Sequence, residues 1–262
     1  LQNSVGDNSL AKQAMSRFQN FVKPFQYISF NENPDFTLDF AKNKNGDFTI
    51  SLLEKGDSVR YVKTVKDSLT GDDCKYFLDG IKRSMRVKYL RNMVDGGALS
   101  KDIKIEVVPK KTTSNQNEIV MNPNDAFEIR ITNNGNTPYY YTIIDIMPDN
   151  DMKVLLPDET SEPQDFVINP KQTIPIGEIT VDEGTPNGKE VFKIIVTKTP
   201  IDLRGVVNRS KTRSAKGAPN SIENVIDDLF KDSNDQRATR SSIGNIKVDE
   251  VGVLSCGFTI KN

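Results

Sequence analysis

Apolar residues recur at helical spacing from Asn8 to Val22. Leu10, Ala11, Ala14, Met15, Phe18, Phe21 and Val22 fall on one face. Asn8 or Ser9 can cap this helix, and Pro24 ends it. Four extended runs follow: "FQYISF", "DFTLDFA", "DFTISLLE" and "SVRYVKTV". Turn material, "KNKNG" and "KGD", separates the last three, which predicts a small antiparallel meander. A second helix is predicted from about Asp72 to Met93. Phe77, Ile81, Met85 and Leu90 form its apolar stripe, and "DGG" at Asp95 stops it. Gly80 sits inside that helix and weakens it by about 1 kcal/mol relative to Ala. Residues 1–97 therefore read as a small α+β domain, with two helices on one face of an antiparallel sheet.

From Ile103 the period changes from helical to alternating. "IKIEVV", "AFEIRITN", "YYYTIIDI", "KVLL", "DFVI", "TIPIGEITV", "VFKIIVT" and "IKVDEVGVLSCGFTI" all read as strands. Phe127, Ile129 and Ile131 alternate with polar residues, which predicts a strand with one wet face. "YYYTIIDI" is apolar on both faces and reads as a central strand. Many short strands with frequent turn signals predict an antiparallel β-sandwich over residues 98–262, Ig-like or jelly-roll-like. One added helix is expected near 221–231, where Ile222, Val225, Ile226, Leu229 and Phe230 make an unbroken apolar face. Asn220 and Glu223 have the spacing of a capping box. The fold class is thus mainly β with an α+β N-terminal part.

Composition narrows the chemistry. The chain has 262 residues, 35 Lys plus Arg against 36 Asp plus Glu, and a net charge of −1. A charge balance this even provides no whole-protein field for nucleic acid or an anionic membrane. No apolar run approaches the ~18 residues of a transmembrane helix. The start, "LQNSVGDNSLAKQ", has neither a signal-peptide core nor an initiating Met, so we expect a piece cut from a longer protein. The cell envelope or periplasm is expected ahead of the cytoplasm. Histidine is absent from the chain. Ser-His-Asp and Cys-His catalysis therefore have no imidazole to use, and His-based zinc sites have no ligand. The two cysteines, Cys74 and Cys256, read as free buried thiols, with a bridge between them left open. No cofactor is expected.

Four features could carry chemistry. Asp145, Asp149 and Asp151 in "DIMPDND" are candidate cation ligands, but they do not fall in an EF-hand frame. Pro148–Asp151 reads instead as a turn with Asx chemistry. "RGVVNRSKTRSAK" offers Arg204, Arg209, Lys211 and Arg213 with no acid among them, either an anion-binding loop or a solvated one. It lacks the aromatic platforms that single-stranded nucleic acid needs. Tyr139 and Tyr141 could line a binding surface or pack in a core strand. "GTPNGKE" lacks the order of a phosphate loop and reads as a hairpin turn.

Three motifs occur in order: "PYYYTIIDIMPDNDMKVLLPDE", "FVINPKQTIPI" and "PNGKEVFKIIVTKTPIDL". Over about residues 125–206 they resemble the uncharacterised β domain that follows caspase-like peptidase domains in bacterial, Bacteroidetes-type proteins. The resemblance carries no functional residue across to this chain. It implies a non-catalytic companion of a cysteine peptidase, acting as a protein-binding or regulatory module whose partner is the parent peptidase domain or another protein. Two alternatives stand beside it: part of the substrate cleft of the intact endopeptidase, or a structural or adhesive module of the cell envelope.

Overall fold

A computed structural model describes residues 2–3, 9–25, 28–42, 47–55, 58–65, 68–93, 99–111, 118–207 and 251–261. These divide into two compact units, one up to Arg86 and one from Val87 onward. The expected helix near 221–231 and the expected strand residues 246–250 lie outside the described residues.

In the first unit, α1 (Ser9–Val22) precedes a meander of β2 (Phe36–Lys42), β3 (Phe48–Glu54) and β4 (Ser58–Val65), and then α2 (Gly71–Asn92). A two-residue strand, β1 (Gln2–Asn3), runs parallel to β2, giving the sheet order β1–β2–β3–β4. Strand alternation puts Phe36, Leu38, Ile50 and Leu52 on one face. They pack there with Ala14, Met15, Phe18 and Val22 of α1 and Cys74, Phe77, Leu78 and Ile81 of α2. Both helices therefore cover the same face, as the sequence predicts. "FQYISF" departs from expectation: Phe25 and Ile28–Phe30 are irregular. Their backbone bonds go into tight turns, Phe25 N–H to Val22 O and Ile28 N–H to Phe25 O, and β1 takes the free edge of β2.

The start of α2 is a reciprocal cap. The Asp73 carboxylate accepts from the Thr70 N–H (2.8 Å) and hydroxyl (2.6 Å), while the Asp73 N–H donates to Thr70 Oγ1 (3.2 Å). Lys63 of β4 pairs with Asp73 at 2.5 Å. Gly80 is explained by its neighbour. A Cβ there would lie 2.6 Å from Cδ2 of Tyr61, so β4 can approach α2 this closely only over a glycine.

The second unit is a two-sheet sandwich. Its strands are β5 (Ile103–Pro109), β6 (Val120–Met121), β7 (Ala126–Asn133), β8 (Tyr139–Ile146), β9 (Met152–Leu156), β10 (Val167–Ile168), β11 (Thr173–Thr180), β12 (Gly188–Thr197) and β13 (Val251–Ile260). A three-stranded sheet runs β11–β7–β5, and a six-stranded sheet runs β10–β8–β12–β13–β6, with β9 also on β8. The connectivity is of the immunoglobulin type and not a jelly roll. β5, β7 and β11 take the places of strands A, B and E, and β8, β12 and β13 those of C, F and G. The inner faces meet through Ile103, Val107, Phe127, Ile129, Ile131, Ile143, Ile194 and Val196. Phe127, Phe192 and Phe258 form a ring cluster at one end, with the Phe127 and Phe258 centroids 4.8 Å apart. β7 alternates buried and half-buried residues throughout, as its sequence predicts.

The boundary between units falls inside α2, ahead of the expected break near residue 97. Hydrogen bonds explain the difference. Arg91, in the last turn of α2, donates to Met147 O (2.7 Å), Lys189 O (3.1 Å) and Asn150 Oδ1 (3.2 Å). Lys193 of β12 returns a bond from Nζ to Met93 O (2.7 Å). The end of this helix is thereby part of the sandwich. Among the described residues no helix is long and apolar enough to cross a membrane.

The glycine contact yields a stability test. Gly80→Ala gains about 1 kcal/mol of helix propensity but overpacks against Tyr61, at about 1–3 kcal/mol. We expect a net loss of about 1 kcal/mol by urea denaturation. In the Tyr61→Ala background the same substitution should stabilise instead.

Candidate functional site

The segment 146–152 is a hairpin turn joining β8 to β9. Asn150 takes a left-handed backbone (φ 66°), its N–H donates to Met147 O (3.0 Å), and the Met147 N–H donates to Asp151 O (2.9 Å). Asp149 Oδ1 accepts from the Asp151 N–H at 2.8 Å, the Asx bond expected of such a turn. Asp145 is set apart from both. It lies on the inner face of β8 and is 4% exposed. Among the described residues no group of three or more Cys, Asp or Glu is placed to hold a metal ion.

Tyr139 and Tyr141 share the inward parity of Ile143 and are buried. Tyr139 donates its hydroxyl to Asp102 Oδ2 (3.3 Å), and Tyr141 stacks edge-on against Phe166. They are core residues and not an exposed aromatic surface, because strand alternation turns Tyr140 outward in their place. Arg204 is a clasp. Its guanidinium donates to both oxygens of Asp202 (2.9 Å each), to Asp158 O (2.6 Å) and to Ser161 O (3.0 Å). Those bonds turn its donors onto the chain's own loops and away from a solvent anion. Arg209, Lys211 and Arg213 lie outside the described residues.

Two arrangements that the sequence did not announce lie at opposite ends of the sandwich. At the first, Asn133 closes β7 and is fully buried. Its amide donates to Thr137 O (2.8 Å) and Ile168 O (3.2 Å), and its Oδ1 accepts from the Gly135 N–H (2.9 Å). The Asn134 N–H donates to Asp102 O (2.7 Å), and Lys171 Nζ bonds Asn134 O from the neighbouring loop. A Cβ on Gly135 would lie 2.6 Å from Asp102 Oδ2, so glycine is what lets the loop close down on Asp102. Loop 134–138 is thus held rigid beneath while Asn134, Asn136, Thr137 and Pro138 face solvent. The connection leaving β12 at Thr197 departs from the same end, since Thr197 pairs with Tyr140 and Val251.

At the other end, Asp145 of β8 and Glu190 of β12 both point inward. Phe192 is the register partner of Asp145, and Glu190 lies two residues away on the same face. Lys153, opposite Asp145 on β9, reaches Asp145 Oδ2 at 3.8 Å. Burial pushes the Asp145 carboxyl up to about 6 against the pull of Lys153. Burial, reinforced by the Asp145 charge, pushes Glu190 up to about 8. Sequence could have flagged this pair: "YYYTIIDI" and "EVFKIIVT" each place an acid in an otherwise apolar strand. The second also carries Lys193, which is buried on the outer face and satisfied by Met93 O.

The buried asparagine sets the next test. Asn133→Ala leaves the buried Gly135 N–H without its acceptor and removes the donors to Thr137 O and Ile168 O. We expect a loss of about 3 kcal/mol, read as a lower denaturation midpoint at unchanged m-value.

No family model matches the chain, and no curated protein matches it. Among solved structures it is similar to the Vibrio cholerae VesB protease, at 12% identity and TM-score 0.23, over 69% of this chain and 50% of that one. It is also similar to red sea bream transglutaminase, at 9% identity and TM-score 0.20, over 68% of this chain and 28% of that one. The chain spans half the length of the first and less of the second. Superpositions this loose identify neither a shared fold nor a shared activity.

Proposed function

We propose that the chain is a non-catalytic protein-binding module that works beside a caspase-like cysteine peptidase domain. The observation that carries this reading is the loop end of the sandwich. Loop 134–138 is exposed at its tip and immobilised at its base by a fully buried asparagine. A rigid scaffold that presents preorganised loops binds without the entropic cost of ordering them. In antibody variable domains this end, with the B–C and F–G loops, carries the binding loops.

The β11 edge supports loops over strand addition. β11 is an edge strand, but Pro175 removes a donor from it, and its register shifts between Ile176 and Ile179 around Gly177. The peptidase association rests on the three motifs that resemble domains found beside such enzymes. Lack of histidine agrees with a supporting role.

Two measurements test the reading. The purified chain should turn over no fluorogenic Arg, Lys or Asp peptide, and turnover by the chain alone would overturn it. A caspase-like peptidase domain encoded in the same gene, produced separately, should bind the chain in titration calorimetry. Asn136→Glu at the loop tip should weaken that binding about tenfold, whereas an equal affinity would place the interface elsewhere.

A further inference from the structure

The end of the sandwich opposite the binding loops holds two buried carboxyls and too little positive charge for both. Asp145 and Glu190 are 4% and 8% exposed. Asp145 Oδ2 faces Lys153, while Oδ1 is buried with no hydrogen-bond partner among the described residues.

Among the described residues, the groups around the pair add no second cation. From β9 comes Lys153, whose side chain is half exposed. From the turn comes Asp149, which acts on Asp145, and from the residues after β11 comes Asp182, which acts on Glu190; both are acids. β13 contributes Phe258 opposite Glu190 and Cys256 opposite Phe192, and β7 contributes Phe127 through the ring cluster. From α2, Arg91 spends bonds on Met147 O, Lys189 O and Asn150. Lys193 lies on the outer face of β12 and bonds Met93 O. With one lysine between them, two adjacent buried carboxylates cannot both ionise without strong repulsion.

We propose that Asp145 and Glu190 share a proton, and that this shared proton is a catch fastening the β8–β9 hairpin to β12, released when the proton is lost. The carboxyl that keeps the proton donates it to the other, which satisfies an oxygen that the rest of the fold leaves bare. Loss of that proton puts a second negative charge beside the first, with Asp149 and Asp182 close by. Opening the hairpin end to water relieves that repulsion.

The direction with pH follows from the raised values at both groups. The closed end holds protons that the opened end gives up at ordinary carboxyl values. Closure is therefore fully favoured below about pH 4 and is lost progressively as pH rises to about 8, the pair titrating as a unit.

Amide hydrogen exchange on the full chain tests this, with protection factors corrected for intrinsic rates. The opening equilibrium at Ile146, Met152 and Val191 should rise about tenfold per pH unit between about pH 5 and about pH 7. Tyr141, at the far end of β8, serves as the unchanging reference. In Glu190→Gln and in Asp145→Asn the slope should vanish. A flat wild-type profile, or a slope that survives in both variants, would overturn the proposal. Should neither variant fold, carbon-detected NMR of the wild-type carboxyls decides it. A proton retained by the pair above pH ~6 supports the catch, and full ionisation of both groups by pH ~5 excludes it.

Discussion

Strands β8 and β12 carry apolar side chains on both faces, and the architecture around them answers that constraint. Ile143 and Ile144 are both fully buried though they point in opposite directions, and so are Ile194 and Ile195 within 1%. A strand pair of this kind needs a cover on each side. The three-stranded sheet supplies one. On the opposite side, Arg91 in the last turn of α2 bonds Met147 O and Lys189 O, Lys193 bonds Met93 O, and the short helix α3 (Arg204–Val207) lies against β9. Each isoleucine removed from water contributes about 2 kcal/mol. The arrangement buries polar groups too, and these are satisfied locally: Lys193 by Met93 O and the Thr197 hydroxyl by Thr199 O at 2.6 Å.

Much of this was legible in the sequence because it depends on period. The stripe of α1, the three-strand meander and the alternation of β7 all reflect side chains that repeat at the spacing of their element. The double-sided burial of "YYYTIIDI" followed from composition alone. What failed depended on long-range partners. "FQYISF" has strand composition, but β1 holds the neighbouring edge, and the described residues Phe25 and Ile28–Phe30 are irregular instead. β6 is two residues long and pairs in parallel with Thr259 and Ile260, a contact no local pattern announces. "DGG" marks where α2 is expected to stop, whereas the Arg91 bonds to Met147 O, Lys189 O and Asn150 could not be read from the sequence.

The candidate sites divide in the same way. The turn at Pro148–Asp151 was readable because Asx chemistry is local. Tyr139 and Tyr141 could be assigned to core or surface only once the facing sheet was known, and Arg204 only once its carbonyl partners were. Asn133 gave no signal in "NNGNTP", where it looks like any loop asparagine. Its importance comes from Ile168, thirty-five positions away in sequence. Asp145 and Glu190 were visible as charges in apolar strands, but their juxtaposition is a matter of register between β8 and β12.

The two cysteine sulfurs have a consequence of their own. Cys74 lies in the core of the first unit, where burial raises its thiol, and burial lifts Cys256 to about 12. Thiolates are the reactive form, so both sulfurs meet oxidants and electrophiles in their least reactive state. Neither sulfur is bridged, so no disulfide cross-link joins the elements that carry them, and their packing does not depend on one.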